Sequence, residues 1–568
     1  MSELQFKDFK YERLNYEDLA NQYENILTKL SEAHCPKCFQ NAFNEMNELR
    51  KHVQTMMTLC SVRNTIDKSD KFYETEQEYW DETYPKLQVF ETRFKQIVLD
   101  YPNKDQLSIP ETFYKLAECE IKSFDEKIVE DLQKENKLVS EYGKLKSSAK
   151  IEFEGETYNL ASIASKTLSN DRKTRENATA AVAKFYADNE EEFDRIYDEL
   201  VQVRTTMAKK LGFDNYISLG YLRMNRLDYN QEMVATYRQQ ILDYVTPICS
   251  KIYDKQRQRL GLDKLKAWDI NYEFESGNAK PHGTSDELVA AALAMYKDMG
   301  SDTGEFFQMM VDRQLFDLLT KPNKDMGGYC TDIPDYKVPF IFANFNGTSG
   351  DVDVLTHEAG HAFQSFMTSK YQENLVPDCS FPTMEACEIH SMSMEFFAHP
   401  YMNDFFKEDT QKYIYSHIAG ALTFLPYGAC VDHFQHQVYA NPNMSKEERK
   451  QCWRTLEKTY IPERDYTEFP VLEKGGYWYR QGHIFASPFY YIDYTLAQVC
   501  ALQFFARSLA KDENTWKDYI ELCKLGGTKT FLHLLEAAHL QSPFQQGCLS
   551  GIVEAMDKEL DAIDDKAL

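Results

Sequence analysis

The stretch Gly327-Gly-Tyr-Cys-Thr-Asp-Ile-Pro-Asp-Tyr336-Lys-Val-Pro-Phe-Ile-Phe-Ala-Asn-Phe345-Asn-Gly-Thr-Ser-Gly350-Asp-Val-Asp-Val-Leu-Thr-His357-Glu358-Ala-Gly-His361-Ala-Phe-Gln364 holds the one clear β signal of the chain and, directly after it, its most informative helix. Residues 337–345 are apolar and aromatic. Pro339 within them points to an edge strand, because proline cannot donate to a ladder. An edge strand can accept an extended peptide as an added strand. Asn346–Gly350 then breaks the strand, and residues 352–364 resume at helical spacing.

His357-Glu358-Ala359-Gly360-His361 is an HExxH motif. On a helix, two histidines four residues apart share one face and can direct their imidazoles at one metal ion. Glu358, one step round, then lies beside the metal's open position, where it can take a proton from the attacking water. By chance alone the motif arises in roughly 3% of chains of this composition. Its place on an apolar helix behind a strand favours a metal site over two ordinary half-buried histidines.

A catalytic zinc ion needs a third protein ligand and an open position. Downstream, Phe381-Pro-Thr-Met-Glu385-Ala-Cys-Glu388-Ile-His390-Ser391-Met-Ser-Met-Glu395-Phe-Phe-Ala-His399 reads as a second helix. Glu385, Glu388, Glu395, His390 and His399 are all candidates, and spacing does not choose among them. The carboxylates left over would orient a ligating histidine or face solvent.

A third segment, Gly475-Gly-Tyr-Trp-Tyr-Arg480-Gln-Gly-His483-Ile-Phe-Ala-Ser-Pro488-Phe-Tyr490-Tyr491-Ile-Asp-Tyr494, is rich in Tyr. Ser487-Pro488 reads as an N-cap and first helical position. Tyr494 shares a helix face with both Tyr490 and Tyr491. Tyr hydroxyls and a His N–H are neutral donors suited to the oxyanion of a tetrahedral intermediate. Without the HExxH motif, an aromatic core helix would be the plainer reading.

Elsewhere the chain reads as helix after helix, so the fold class is mainly α with one small sheet. A short hairpin at Ile151–Leu160, turning at Gly155, interrupts the run and suggests a division into an N-terminal helical domain, 1–165, and a second domain, 166–568. His433 and His436, three apart, fit a packed helix face better than a second metal site. With 568 residues and 43% apolar composition the protein is globular, and the net charge of −26 argues against nucleic acid and against an anionic membrane surface. The first twenty residues carry no secretory pattern, and no sequence run reaches the length of a membrane span. A cytoplasmic location is expected, with the 13 cysteines, including the Cys35-Pro-Lys-Cys38 pair, reduced.

The ordered set of segments resembles the M3 family of zinc oligopeptidases, in particular the bacterial branch called oligoendopeptidase F. The likeness includes IEFEGETYNL at 151–160, KLGFDNY at 210–216, the strand with the HExxH helix, EIHSMSMEFF at 388–397 and RQGHIFASPFYYIDYTLAQ at 480–498. It implies a large helical, clam-like, two-lobed zinc peptidase with a small β-sheet beside the HExxH helix and a deep substrate channel.

The resemblance also selects residues. It implies one Zn2+ per chain on His357, His361 and Glu388, with Glu395 and Ser391 behind them and Glu358 as general base. His483 and a tyrosine of the FYYIDY run, Tyr494 first, then Tyr491 and Tyr490, would bind the scissile carbonyl. The substrate would lie along 337–345, touching Phe342, Ala343, Asn344 and Gly347. The expected activity is endopeptidase action on short, unstructured oligopeptides. A terminus-directed peptidase, with Arg480 as the nearest cation to hold a free carboxylate, and a non-catalytic peptide-binding protein are the rivals. The oligomeric state, monomer or dimer, is not legible.

Overall fold

The computed structural model describes residues 4–372 and 375–568. The chain forms two compact units, each assembled from separated stretches of sequence. The first comprises Met1–Ile121, Lys280–Thr410 and Ala501–Leu540. The second comprises Lys122–Ala279, Gln411–Cys500 and Gln541–Leu568. Both are built mainly of α-helices.

In the first unit three N-terminal helices, Tyr16–Ser31, Pro36–Ile66 and Lys71–Asp100, pack on one another. Asn15 and Asp70 cap two of them by accepting backbone N–H groups of the first turn. Pro36 occupies the first turn of the helix between, where its missing N–H is no loss. Cys35 and Cys38, expected to be reduced, are disulfide-bonded at that helix start, where the spacing brings their Cα atoms to 5.2 Å.

The small hairpin is present: β1 (Ile151–Phe153) pairs antiparallel with β2 (Glu156–Tyr158). Glu154 and Gly155 both have positive φ, as a tight hairpin turn requires. It lies within the stretch Lys122–Ala279 of the second unit. Ile151 and Phe153 bury against Ile163 and Ala178 of the following helices, which holds the hairpin inside the second unit.

The sheet of the first unit has three strands: β3 (Phe316–Leu319), β4 (Tyr329–Ile333) and β5 (Val338–Phe345). Their order is β3-β5-β4, with β5 parallel to β3 and antiparallel to β4. The run 337–345 is thus the central strand, and the edge-strand reading is corrected. Pro339 is tolerated because β3 begins opposite Ile341, whose N–H bonds to Leu315 O. Two residues earlier on that side no ladder partner is lost.

The HExxH motif lies on the helix Gly350–Tyr371, called here the motif helix. Val352, Leu355, Ala359, Ala362, Phe363 and Met367 are fully buried along it. It packs on β4, β5, the helix Met384–Phe397 and the helix Thr515–Leu525. In the second unit the long helix Thr410–Ala440 meets the start of the helix Tyr491–Leu509 at Gly428, where a Cβ would fall 2.2 Å from Thr495 Cγ2. One helical run, Met384–Ala440, is long and apolar enough to cross a bilayer, and 61% of its most apolar window is buried inside the protein, as in a core helix.

Candidate metal centre and active site

The motif helix starts from a fixed turn. Asp351 accepts hydrogen bonds from the N–H groups of Asn346 (2.8 Å) and Gly347 (2.7 Å). One turn on, His357 and His361 project from one face, with ring centroids 5.1 Å apart. The helix Met384–Phe397 crosses close beside them and delivers Glu388. Glu388 Oε2 lies 3.2 Å from His357 Nε2 and 3.4 Å from His361 Nε2. The three donor atoms all fall within 4.8 Å of one another, and among the described residues no other trio of this kind occurs.

Gly360 makes the crossing possible. A Cβ there would stand 2.6 Å from Ser391 Cα and 2.7 Å from His390 O. Backbone meets backbone at this point, so only glycine fits between the two histidines and the helix that carries Glu388.

Each donor has an outer partner. His357 Nδ1 lies 2.6 Å from Glu395 Oε1. Ser391 Oγ donates to Glu388 Oε2 at 3.0 Å. His361 Nδ1 lies 3.6 Å from Cys387 Sγ. These contacts turn the Nε2 atoms toward the common point. Burial would pull His357 down, yet Glu388 and Glu395 raise it to about 10. His361 is raised too, against burial, by Cys387 and Glu388. Glu388 is held far below the usual carboxylate range, against its burial, by the two histidines. The cluster therefore demands positive charge. Two imidazole nitrogens and one carboxylate oxygen, converging with outer partners in place, fit a divalent cation with an open fourth position.

Glu358 is 8% exposed. Its carboxylate lies over Gly328 beside β4, at 3.6 Å from where a Cβ would stand. Burial pushes its pKa up, and the two histidines oppose this only in part. A carboxylate raised in this way is suited to accept and return a proton.

A second cluster belongs to the second unit. His483 is surrounded by Tyr491, Tyr490 and Tyr494, at ring distances of 5.0, 5.6 and 5.8 Å. All four are half-buried. Tyr427 OH donates to Gln481 Oε1 at 2.8 Å, which turns Gln481 Nε2 to His483 Nδ1, also at 2.8 Å. Nδ1 is then the acceptor, and the ring proton sits on Nε2. Burial, helped by Lys146, lowers the His483 pKa, so the ring is a neutral donor. Burial raises Tyr491, which keeps its hydroxyl proton.

The chain also matches known proteins. The model of peptidase family M3 fits residues 166–554, and that of the M3 N-terminal domain fits residues 6–124. The chain belongs to peptidase family M3. A solved structure of Pz peptidase A with an inhibitor superposes with a TM-score of 0.91 at 47% identity, covering 99% of this chain and all of that one. An oligoendopeptidase F homolog of Mycoplasma pneumoniae is 28% identical over 170 residues, which is 30% of this chain and 26% of the relative. One of Borreliella burgdorferi is 23% identical over 373 residues, 63% of this chain and 60% of the relative. The chain thus spans between about a quarter and three fifths of these curated relatives.

Several residues that spacing alone left as metal-ligand candidates lie elsewhere. Glu385 is buried and accepts from Thr383 Oγ1 at 3.0 Å. His390 Nδ1 turns to the oxygen of Ala386 at 3.1 Å, and His399 packs on Phe396 and Phe505. His436 contacts Tyr221, Arg238 and Asp432, and His433 contacts Tyr460, so they share no metal point.

The expected substrate contacts on β5 change as well. Phe342 and Ala343 are fully buried in the central strand. Asn344 donates to the oxygens of Asp325 and Gly327, and the Gly347 N–H is taken by Asp351. The paired backbone of a central strand leaves no ladder groups for a peptide at Ile341–Phe342. The expected helix start at Ser487-Pro488 also moves. The helix begins at Tyr491, after Phe489 at a φ of +69°, and the buried Arg226–Asp493 ion pair holds it there. Sequence reasoning missed Cys387, Gln481 and Tyr427. Only the adjacency of Cys387 to Glu388 and of Gln481 to the His483 segment hinted at them.

Proposed function

We propose that the chain is a zinc-dependent endopeptidase that hydrolyses internal bonds of short, unstructured peptides. The convergence of His357, His361 and Glu388 beside the buried carboxylate of Glu358 carries this reading. The two histidines and Glu388 would hold one Zn2+, with Glu395, Ser391 and Cys387 fixing their orientation. When bound, zinc supplies a Lewis acid that polarises the scissile carbonyl and eases loss of a proton from water.

Glu358 takes the proton of the attacking water and returns it to the leaving amine. The neutral Nε2–H of His483 and the hydroxyls of Tyr494, Tyr491 and Tyr490 are the donors for the developing oxyanion. The peptide lies extended against β4, the edge strand, in place of β5. The strand order, which leaves β4 at the edge of the sheet, supports this placement.

The test is cleavage of an internally quenched peptide blocked at both ends, by protein untreated, chelated, and chelated with zinc restored. Loss and recovery of cleavage is the expected result. Glu358→Gln is expected to retain zinc and lose about three or more orders of magnitude in turnover. Cleavage confined to peptides with free ends would favour a terminus-directed enzyme. Binding without new termini would favour a peptide-binding protein.

A further inference from the structure

The second unit holds a pair of cations that the proposed reaction does not use. Lys146 lies at the end of the helix Val129–Ser147, and its Nζ donates to the backbone oxygen of Arg480 at 3.1 Å. Tyr142, one turn earlier, donates to Tyr479 O at 3.0 Å and stacks on Phe485 at 4.0 Å. Residues 479–485 are thereby fastened along this helix, which brings the Lys146 ammonium against the backbone of Arg480. The Arg480 guanidinium lies 4.8 Å over the Tyr477 ring, and the Lys146 ammonium 5.4 Å from the Tyr142 ring. Solvent reaches both: Arg480 is exposed and Lys146 half-buried.

The chain has 90 acidic side chains, yet no carboxylate among the described residues pairs with Lys146 or Arg480. The neighbouring Arg464, by contrast, is neutralised by Glu457 at 2.9 Å. The surroundings respond to these charges: the Tyr477 phenol holds the Arg480 guanidinium above its ordinary value, against its burial. Burial and Arg480 both lower Lys146. Burial and Lys146 lower His483, which lies three residues beyond Arg480. The Tyr477 phenol, which burial would raise, is pulled below its ordinary value by Arg464 and Arg480.

Two fixed like charges without a counter-ion are unfavourable, and they are set beside the cluster of His483. A chain of net charge −26 otherwise repels anionic ligands, so binding one requires such a local reversal of sign. An arginine fork beside a lysine point charge matches a carboxylate.

We propose that Lys146 and Arg480 form a subsite for a carboxylate of the peptide, its C-terminal α-carboxylate or an acidic side chain. This rests on the peptidase reading. The test uses three quenched peptides with one core: a free acid, a C-terminal amide, and an amide carrying an added Glu. The expected result is a preference of about tenfold or more for one or both carboxylate-bearing peptides, expressed in KM and weakened by salt. In Lys146→Gln/Arg480→Gln that preference collapses to near one, and Arg480→Lys restores part of it. Preference for the free acid assigns the α-carboxylate, and preference for the added Glu assigns a side chain.

Equal handling of all three peptides by the unaltered protein overturns the proposal, as does a preference that survives the double substitution. Binding of the same labelled peptides to Glu358→Gln, followed by fluorescence anisotropy, reads the subsite without hydrolysis. Selective binding to Glu358→Gln, with no cleavage of any of the three peptides by the unaltered protein, would therefore leave the subsite standing while the peptidase reading fell.

Discussion

Glu395 Oε1 lies 2.6 Å from His357 Nδ1, and the opposite nitrogen of the same ring lies 3.2 Å from Glu388 Oε2. One carboxylate thus orients the imidazole for the other to share with a metal. Glu395→Ala removes the acceptor and frees the ring. Metal affinity is expected to fall about 10- to 100-fold, read by competition with a chromophoric chelator. Glu395→Gln keeps an acceptor oxygen and is expected to lose less. An Ala variant that binds metal as tightly as the unaltered protein would show that the ring is held by other contacts.

Gly360→Ala is expected to damage the same centre by geometry instead of chemistry. Its methyl would meet Ser391 Cα at 2.6 Å, and that atom is backbone, which cannot swing aside. The two helices must separate, carrying Glu388 away from the histidines. Overpacking of this kind costs about 1–3 kcal/mol. The expected outcome is a lower melting temperature together with weaker metal binding. A stable Ala variant with full metal affinity would contradict the close approach.

The convergence of His357 and His361 was legible in the sequence because HExxH encodes it in one helix, where four-residue spacing fixes which side chains meet. The partner helix was legible only as a set of candidates. Glu385 and Glu388 are equivalent by spacing, and what separates them is the rotation of their helix against Gly360. The strand 337–345 shows the opposite failure. Its apolar run is what a central strand looks like, but Pro339 drew the reading to an edge, because the end of β3 opposite Ile341 is a tertiary fact. Gln481 and Tyr427 were hidden for a similar reason: 54 residues separate two groups that touch only in the fold.

Gln481 tests whether the tautomer of His483 matters. Gln481→Leu removes the donor to Nδ1 and lets the proton move between nitrogens, so kcat is expected to fall about 10-fold, less than the loss of a whole oxyanion donor. Gln481→Glu is expected to be worse, at about 100-fold or more, although it is nearly the same size. A carboxylate accepts instead of donating, so it draws the proton to Nδ1 and leaves Nε2 without one. It also raises the His483 pKa, which burial otherwise lowers, and the protonated ring again carries a proton on Nε2, so the loss should shrink as pH falls through that raised pKa. Identical profiles for the Leu and Glu variants would remove the tautomer argument.

Asp378 ties the N-terminal helices to the segment that precedes Glu388. Asp378 sits between Arg50 (2.7 Å) and Lys95 (3.4 Å), all largely buried. Burial pushes the Asp378 carboxyl up, but Arg50 and Lys95 more than reverse this, and it is held well below the usual carboxylate range. A depressed native pKa stabilises the fold at pH values above the unfolded pKa of about 3.9, and that stability is lost as pH falls below it. Asp378→Asn takes one of two carboxylate partners from each cation, since Arg50 keeps Glu91 and Lys95 keeps Glu120, a loss of about 1.5–3 kcal/mol at neutral pH. The gap in melting temperature between the two proteins should therefore be full from pH 7 down to about 5 and narrow progressively below pH 4. A gap that stays constant to pH 3 would mean that packing around residue 378, and not its charge, carries the effect.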